Sequence, residues 1–239
     1  MKRQKNRMYM AVLTFIIPAV LTLSSCVDVF STSWGSALKR DPDKLIPQVT
    51  ASNVEDLLEA SLGDTDFATT LLGKISDSVE TARGDEKAAL QDAGLKAAAN
   101  ASGLATSILD NAGTLLKGSE GDITDIQTTI DAILKDINGE DLQQIAADLR
   151  AILNNETINT YKAKTKASDE DLAVAAIVLL LADAKKTGNL NSYLNQFANR
   201  KDVNPTENEK KAILLAGVIA ERTIDNEIIN ELLSAMNLN

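Results

Sequence analysis

At 239 residues, 44% hydrophobic and a net charge of −10, the chain has the length and apolar share of one packed domain. It has no histidine and a single cysteine, which removes Ser-His-Asp and Cys-His catalysis, His- or Cys-built zinc sites and internal disulfides. The acid excess and an aromatic share of only 3% argue against nucleic acid, anionic headgroups and stacked sugars as ligands, and no cofactor is expected.

Charge is unevenly placed from the start. Residues 1–25 carry Lys2, Arg3, Lys5 and Arg7 and no acid, so the other 20 cations face 34 acids, a charge of −14. A basic stretch at 2–7 leads into an apolar one at 8–23 that contains Pro18, and Ser24, Ser25 and Cys26 follow. This is the three-part layout of a secretory signal over residues 1–25. The apolar part is shorter than the ~20 residues of a membrane span, and a proline inside weakens it further as a helix.

The stretch Leu23-Ser24-Ser25-Cys26 resembles the lipobox of bacterial lipoproteins. The resemblance implies cleavage between Ser25 and Cys26 and acylation of the Cys26 sulfur by palmitate and related chains. It also implies anchoring in the cell envelope, on the inner or outer membrane, facing the periplasm or the cell surface. Two other readings compete: an uncleaved anchor, and a plain secretory signal with an incidental cysteine. Lipidation accounts for the solitary cysteine, because a sulfur carrying acyl chains needs no disulfide partner. Each buried methylene contributes about 0.8 kcal/mol, so two or three chains moor a protein durably. Residues 26–51 then read as a lipidated N-terminus and linker. Seven residues, 27–33, reach only about 20 Å before Trp34, so the following domain sits close to the bilayer. Trp34 either rests at headgroup level or caps the domain's core.

From residue 52 to 239 the pattern is helical throughout, giving an all-α fold: a multi-helix bundle or irregular helical array. Ser52-Asn53-Val54-Glu55 reads as a capping box opening a helix to about Leu62. Asp64 opens another, with Phe67, Leu71, Leu72, Ile75 and Val79 at helical spacing. Residues 85–117 are alanine-rich and read as two helices, with Gly94 and Gly103 inside. Ile123, Ile126, Ile130, Ile133 and Ile137 make a clean stripe, and Asn138-Gly139 reads as its left-handed stop. Leu142, Ile145, Leu149 and Ile152 make the next stripe, so the two predict an antiparallel hairpin.

Residues 154–167 are the best candidate for a linker, dividing two helical halves that could share one core. Residues 172–182 are apolar without a break, and 212–220 nearly so with Gly217 inside. Neither is long enough to cross a bilayer, and a helix apolar all round belongs in a core. Asn204-Pro205-Thr206-Glu207 reads as the start of the second, with Pro205 at the first helical position. Ile224, Ile228, Ile229, Leu232, Leu233 and Met236 read as a last amphipathic helix. Glu-Asp-Leu recurs at 55–57, 140–142 and 170–172, which acids favouring helix N-termini explain without a repeat.

Few residues suggest chemistry. Asp41-Pro42-Asp43, Asp64-Thr65-Asp66 and Asp169-Glu170-Asp171 lack the continuation of a calcium loop. Gly113 and Gly118-Ser119-Glu120-Gly121 lack the lysine and strand context of a phosphate loop. Hydrolysis by two carboxylates stays open but has few aromatics to hold a sugar.

The reading is therefore a non-catalytic, lipid-anchored helical domain that binds an envelope protein, with no small-molecule ligand identified. Two alternatives stand beside it. Asp41-Pro42-Asp43-Lys44-Leu45 followed by Leu57-Leu58-Glu59 resembles the helical lipoproteins that accompany TRAP transporters in some spirochaetes, which implies an accessory to solute uptake. The other alternative is a host-facing surface lipoprotein.

Overall fold

The computed structural model describes residues 41–104, 139–222, 233, 234 and 236–238. The chain divides into two compact units, residues 1–45 and 46–239. In the first, the described residues form one short helix, α1 (Pro42–Leu45), opened by Asp41, which accepts from the Asp43 N–H at 3.2 Å and pairs with Lys44 at 3.4 Å.

The described part of the second unit is helical and contains no strand: α2 (Val54–Ala60), α3 (Thr65–Thr81), α4 (Gly84–Ser102), α5 (Gly139–Ile152), α6 (Ile158–Lys162), α7 (Asp169–Thr187), α8 (Leu190–Arg200) and α9 (Glu207–Ala220). The all-α expectation holds. No helix among the described residues is long and apolar enough to cross a membrane.

Helix α7 sits at the centre. Every residue from Leu172 to Ala184 is buried, and α4, α5, α8 and α9 all pack on it. An unbroken apolar sequence has no face to offer water, so it is stable only when jacketed. The outer helices supply apolar stripes: on α3, which packs on α4 and α5, it is Leu71, Leu72, Ile75 and Val79, and on α5 it is Leu142, Ile145, Leu149 and Ile152. Leu190, Tyr193, Leu194 and Phe197 form the stripe of α8. At roughly 1.5–3 kcal/mol for each large apolar side chain buried, this layer supplies the main stabilisation of the fold. The packed unit begins earlier than residue 52, because Ile46 and Val49 join the core and Ser78 Oγ donates to the Val49 carbonyl at 3.1 Å.

Alanines do the packing on α4, where Ala93, Ala97, Ala98 and Ala101 are buried. Gly94 is needed for a different reason: a Cβ there would lie 2.6 Å from Ile152 Cδ1 of α5. The helix ends at Gly103, whose φ of +64° is the left-handed stop, so the alanine-rich stretch breaks there.

Several local expectations are corrected. Asn53 is the N-cap of α2 but makes no cap hydrogen bond. Its Oδ1 accepts from the Thr50 N–H at 2.8 Å and its Nδ2 donates to the Gln48 carbonyl at 2.9 Å, so it fastens the preceding turn instead. Gly139 is the first residue of α5 and is not left-handed; Asn138 and the isoleucine stripe before it lie outside the described residues. Pro205 is not the first helical residue of α9. Thr206 is the N-cap, and its reciprocal partner is Glu209 rather than Glu207.

The stretch 154–167 is packed. It contains α6, Tyr161 is fully buried, and one hydrophobic cluster includes residues on both sides of it. Of the last amphipathic helix, Leu233 and Met236 are described and buried, while Ile224, Ile228, Ile229 and Leu232 lie outside the described residues.

The α4–α5 approach gives a direct test. Gly94→Val should cost about 1–3 kcal/mol by overpacking against Ile152. Combining it with Ile152→Ala should recover part of that loss, as read from urea unfolding midpoints.

Candidate functional site

The residues that resemble a lipobox, Leu23, Ser24, Ser25 and Cys26, lie outside the described residues, as do Trp34, Gly113 and the glycines of 118–121. The acidic runs are placed at helix starts. Asp41 and Asp43 belong to α1 and its opening turn. Asp64 caps α3 by accepting from the Phe67 N–H at 3.0 Å. Ser168 caps α7, with Asp171 accepting from its hydroxyl at 3.0 Å, and Asp169 pairs with Arg222 at 3.0 Å. Among the described residues no group of three acid, cysteine or histidine side chains could hold a metal ion. The three Glu-Asp-Leu sequences all fall in first turns, of α2, α5 and α7, where the helix dipole favours acids.

The polar groups that do converge are inside. Glu209 is fully buried. Its carboxylate accepts from Tyr193 Oη at 2.9 Å, from the Thr206 N–H at 2.7 Å and from the Arg200 guanidinium. Arg200 also lies 5.6 Å over the Tyr193 ring, which stacks on Phe197 at 6.3 Å. Burial pushes the Glu209 carboxyl up, but the donors from Arg200, Thr206 and Tyr193 together outweigh it and hold the carboxyl below its usual range. Burial, followed by the Glu209 charge, pushes the Tyr193 hydroxyl far upward, so it stays protonated and donates.

The network continues through Thr206. Its hydroxyl accepts from the Glu209 N–H at 3.2 Å and donates to Asp183 at 2.6 Å. Asn208 donates to the same Asp183 at 2.9 Å, and Lys186 lies 3.3 Å away. Two buried acids thus fix the C-terminal end of α7 to α8 and to the start of α9.

A second network surrounds α6. Asp92 of α4 accepts from Tyr161 at 3.2 Å, from Thr165 Oγ1 at 2.6 Å and from the Lys166 N–H at 2.7 Å. Glu156 pairs with Lys164 at 2.6 Å and accepts from Thr160 at 3.0 Å and Gln91 at 3.1 Å. Burial raises its carboxyl, and these three donors bring it below its usual range. Lys211 of α9 donates to the Leu153 carbonyl at 2.7 Å, and partial burial lowers its ammonium.

Against this second network lies a cleft of about 400 Å³, lined by Thr157, Ile158 and Asn159 from the start of α6 and by Lys210, Ile213 and Leu214 from α9. Its floor is aliphatic and its rim carries an ammonium, a hydroxyl and an amide. That combination can bind; it offers no paired carboxylates for acid–base work. None of these six residues stood out in the sequence as a site. Glu209 was missed as well, although Thr206-x-x-Glu209 is a capping-box spacing; Pro205 drew the helix start two residues too early.

The Glu209 network has a pH signature. A depressed carboxyl contributes stability above its unfolded range and loses it as pH falls, so the wild type should weaken between about pH 5 and pH 3. Glu209→Gln should lose roughly 2–4 kcal/mol at neutral pH, because Arg200 loses its buried counter-charge, and should depend less on pH in that window. Urea midpoints across the range read both effects. Comparison with protein-family models, with curated proteins and with solved structures gave no match to this chain.

Proposed function

We propose that this chain is a lipid-tethered helical domain of a bacterial cell envelope, and that it works by binding a protein partner. The observation that carries the reading is the order at the N-terminus: Lys2, Arg3, Lys5 and Arg7, an apolar run, then Leu23-Ser24-Ser25-Cys26 with no other cysteine in the chain. In this reading the signal ends at Ser25, the Cys26 sulfur carries the acyl chains, and the helical body stands close to the bilayer.

Binding is favoured over catalysis on two grounds. The sequence contains no histidine to act as general base. The buried acids Glu209 and Asp183 and the half-buried Asp92 are each engaged by donors from neighbouring helices or loops, which is the work of a scaffold. An acidic body also suits a partner with neutral or basic surface and keeps the domain off anionic headgroups.

The test is metabolic labelling in a bacterial host. With tritiated palmitate, the wild-type chain should take up label, and mass spectrometry should find a mature N-terminus at Cys26. Cys26→Ser should take up none and stay unprocessed. An unlabelled wild-type precursor recovered from the cytosol overturns the reading.

A further inference from the structure

We propose that the Asp41–Pro42 peptide bond is a self-cleavage site, hydrolysed in acid by the Asp41 side chain, and that the cut frees the helical body from its N-terminal anchor. The release rests on the lipidation of Cys26 proposed above; the cut itself does not.

The first argument is position. The chain has four prolines, and Pro42 is the one that follows an aspartate. The bond stands between Cys26 and Ile46, where the core of the second unit begins. Asp41 is exposed, and α1 behind it contributes no buried side chain. Water therefore reaches the bond, and breaking it takes nothing from the core. The unit of residues 46–239 leaves entire.

The second argument is chemistry. An ordinary peptide bond resists hydrolysis because its amine leaves poorly. A proline nitrogen belongs to a tertiary amide with no N–H. It takes a proton more readily than other peptide nitrogens do, and it departs as a secondary ammonium. An aspartate just before it supplies a nucleophile from the same residue. A side-chain oxygen of Asp41 attacks the Asp41 carbonyl carbon and closes a five-membered cyclic anhydride. The C–N bond breaks, its electron pair stays on the Pro42 nitrogen, and a proton from the acidic solvent completes the leaving amine. Water then opens the anhydride, restoring the side-chain carboxyl and making a new C-terminal carboxyl at Asp41. One water is consumed, and nothing is oxidised or reduced.

The third argument is geometry. The Asp41 carbonyl oxygen accepts the Lys44 N–H at 3.0 Å, so a donor already stands where negative charge gathers as the carbonyl carbon becomes tetrahedral. The carboxylate is fastened to the same turn. Its Oδ1 accepts the Asp43 N–H at 3.2 Å, and its Oδ2 lies 3.4 Å from Lys44 Nζ. These ties keep the nucleophile beside its own backbone. Asp43 and Lys44 are the charged residues of α1 and are opposite in sign. A short peptide lacks a persistent turn of this kind, which gives the folded chain an advantage of about tenfold; a buried donor gives roughly 10²–10³, and this one faces water.

The experiment holds the full chain, on neutral phosphatidylcholine nanodiscs, in acidic and in neutral buffer beside a synthetic peptide of residues 37–46, and follows both by intact mass. In acid the chain should yield Pro42–Asn239 in solution and leave the stretch ending at Asp41 on the disc, about tenfold faster than the peptide is cut. Neutral buffer should preserve the bond. Asp41→Asn and Pro42→Ala should each slow the cut about tenfold or more. Both should keep the wild-type unfolding midpoint, because α1 buries no side chain. Lys44→Pro removes the N–H donor and should bring the chain to the peptide's rate. A chain cut no faster than the peptide, cut first at another bond, or cut equally after Pro42→Ala overturns the proposal. Cys26 labelling is read separately. A labelled chain with an uncut bond refutes the cleavage and leaves the tether; a cut chain without label does the reverse.

Discussion

Burial of α7 is the constraint from which the rest of the fold follows. Thirteen consecutive side chains, from Leu172 to Ala184, leave water together. A single neighbour can cover one stripe of such a helix; covering its whole circumference takes α4, α5, α8 and α9 at once. That demand fits the amphipathic α5 and α8, and it explains why α4 is built from alanine with a glycine where it meets Ile152: small side chains let the layers close. It also explains the polar chemistry. Asp183 falls inside the buried run, and an acid there is tolerable only with donors in place. Thr206 and Asn208 provide them, and both belong to the start of α9. The central helix therefore dictates where α9 begins.

From that junction the interior polar groups read as one system. Thr206 is at once the cap of α9, a donor to Asp183 and a partner of Glu209, and Glu209 in turn holds Tyr193 and Arg200 of α8. Helices α7, α8 and α9 are thus fixed by directional bonds as well as by apolar contact. The same division of labour recurs at α6, where Asp92 and Glu156 gather a loop and a short helix that have little apolar surface of their own. The cleft between α6 and α9 lies on this second, polar-braced side of the unit, where Leu214 belongs to the core and Ile158 and Ile213 pack against it.

Much of this was legible in the residues, and the failures have physical causes. The stripes of α3 and α5 and the uniform burial of α7 follow from apolar spacing alone. Helix α8 carries an equally regular set in Leu190, Tyr193, Leu194 and Phe197, yet it escaped notice because three asparagines and a serine stand among its other positions, and these favour turns locally. Tertiary contact settles what propensity leaves open. Residues 154–167 suggested a linker because they are polar and lysine-bearing; their order comes from Asp92, more than sixty positions earlier, which no local window contains. The cap of α9 needed the choice between Pro205 and Thr206 as the entry residue; the reciprocal bonds with Glu209 decide it, and the bond to Asp183 adds to them. The proposed lipobox is the reverse case: Leu23-Ser24-Ser25-Cys26 resembles one as sequence alone, and the processing it implies would be a reaction and not a matter of packing.

The distribution of ties around α6 has a kinetic meaning. Its anchors come from chain positions 92, 217 and 221, so closing them costs loop entropy that nearby contacts cannot offset. A helix of that length has no stable nucleus of its own and can order only after α4 and α9 have found their places. The wall of the cleft at residues 157–159 therefore takes its geometry from partners distant in sequence, and its order depends on the placement of α4 and α9.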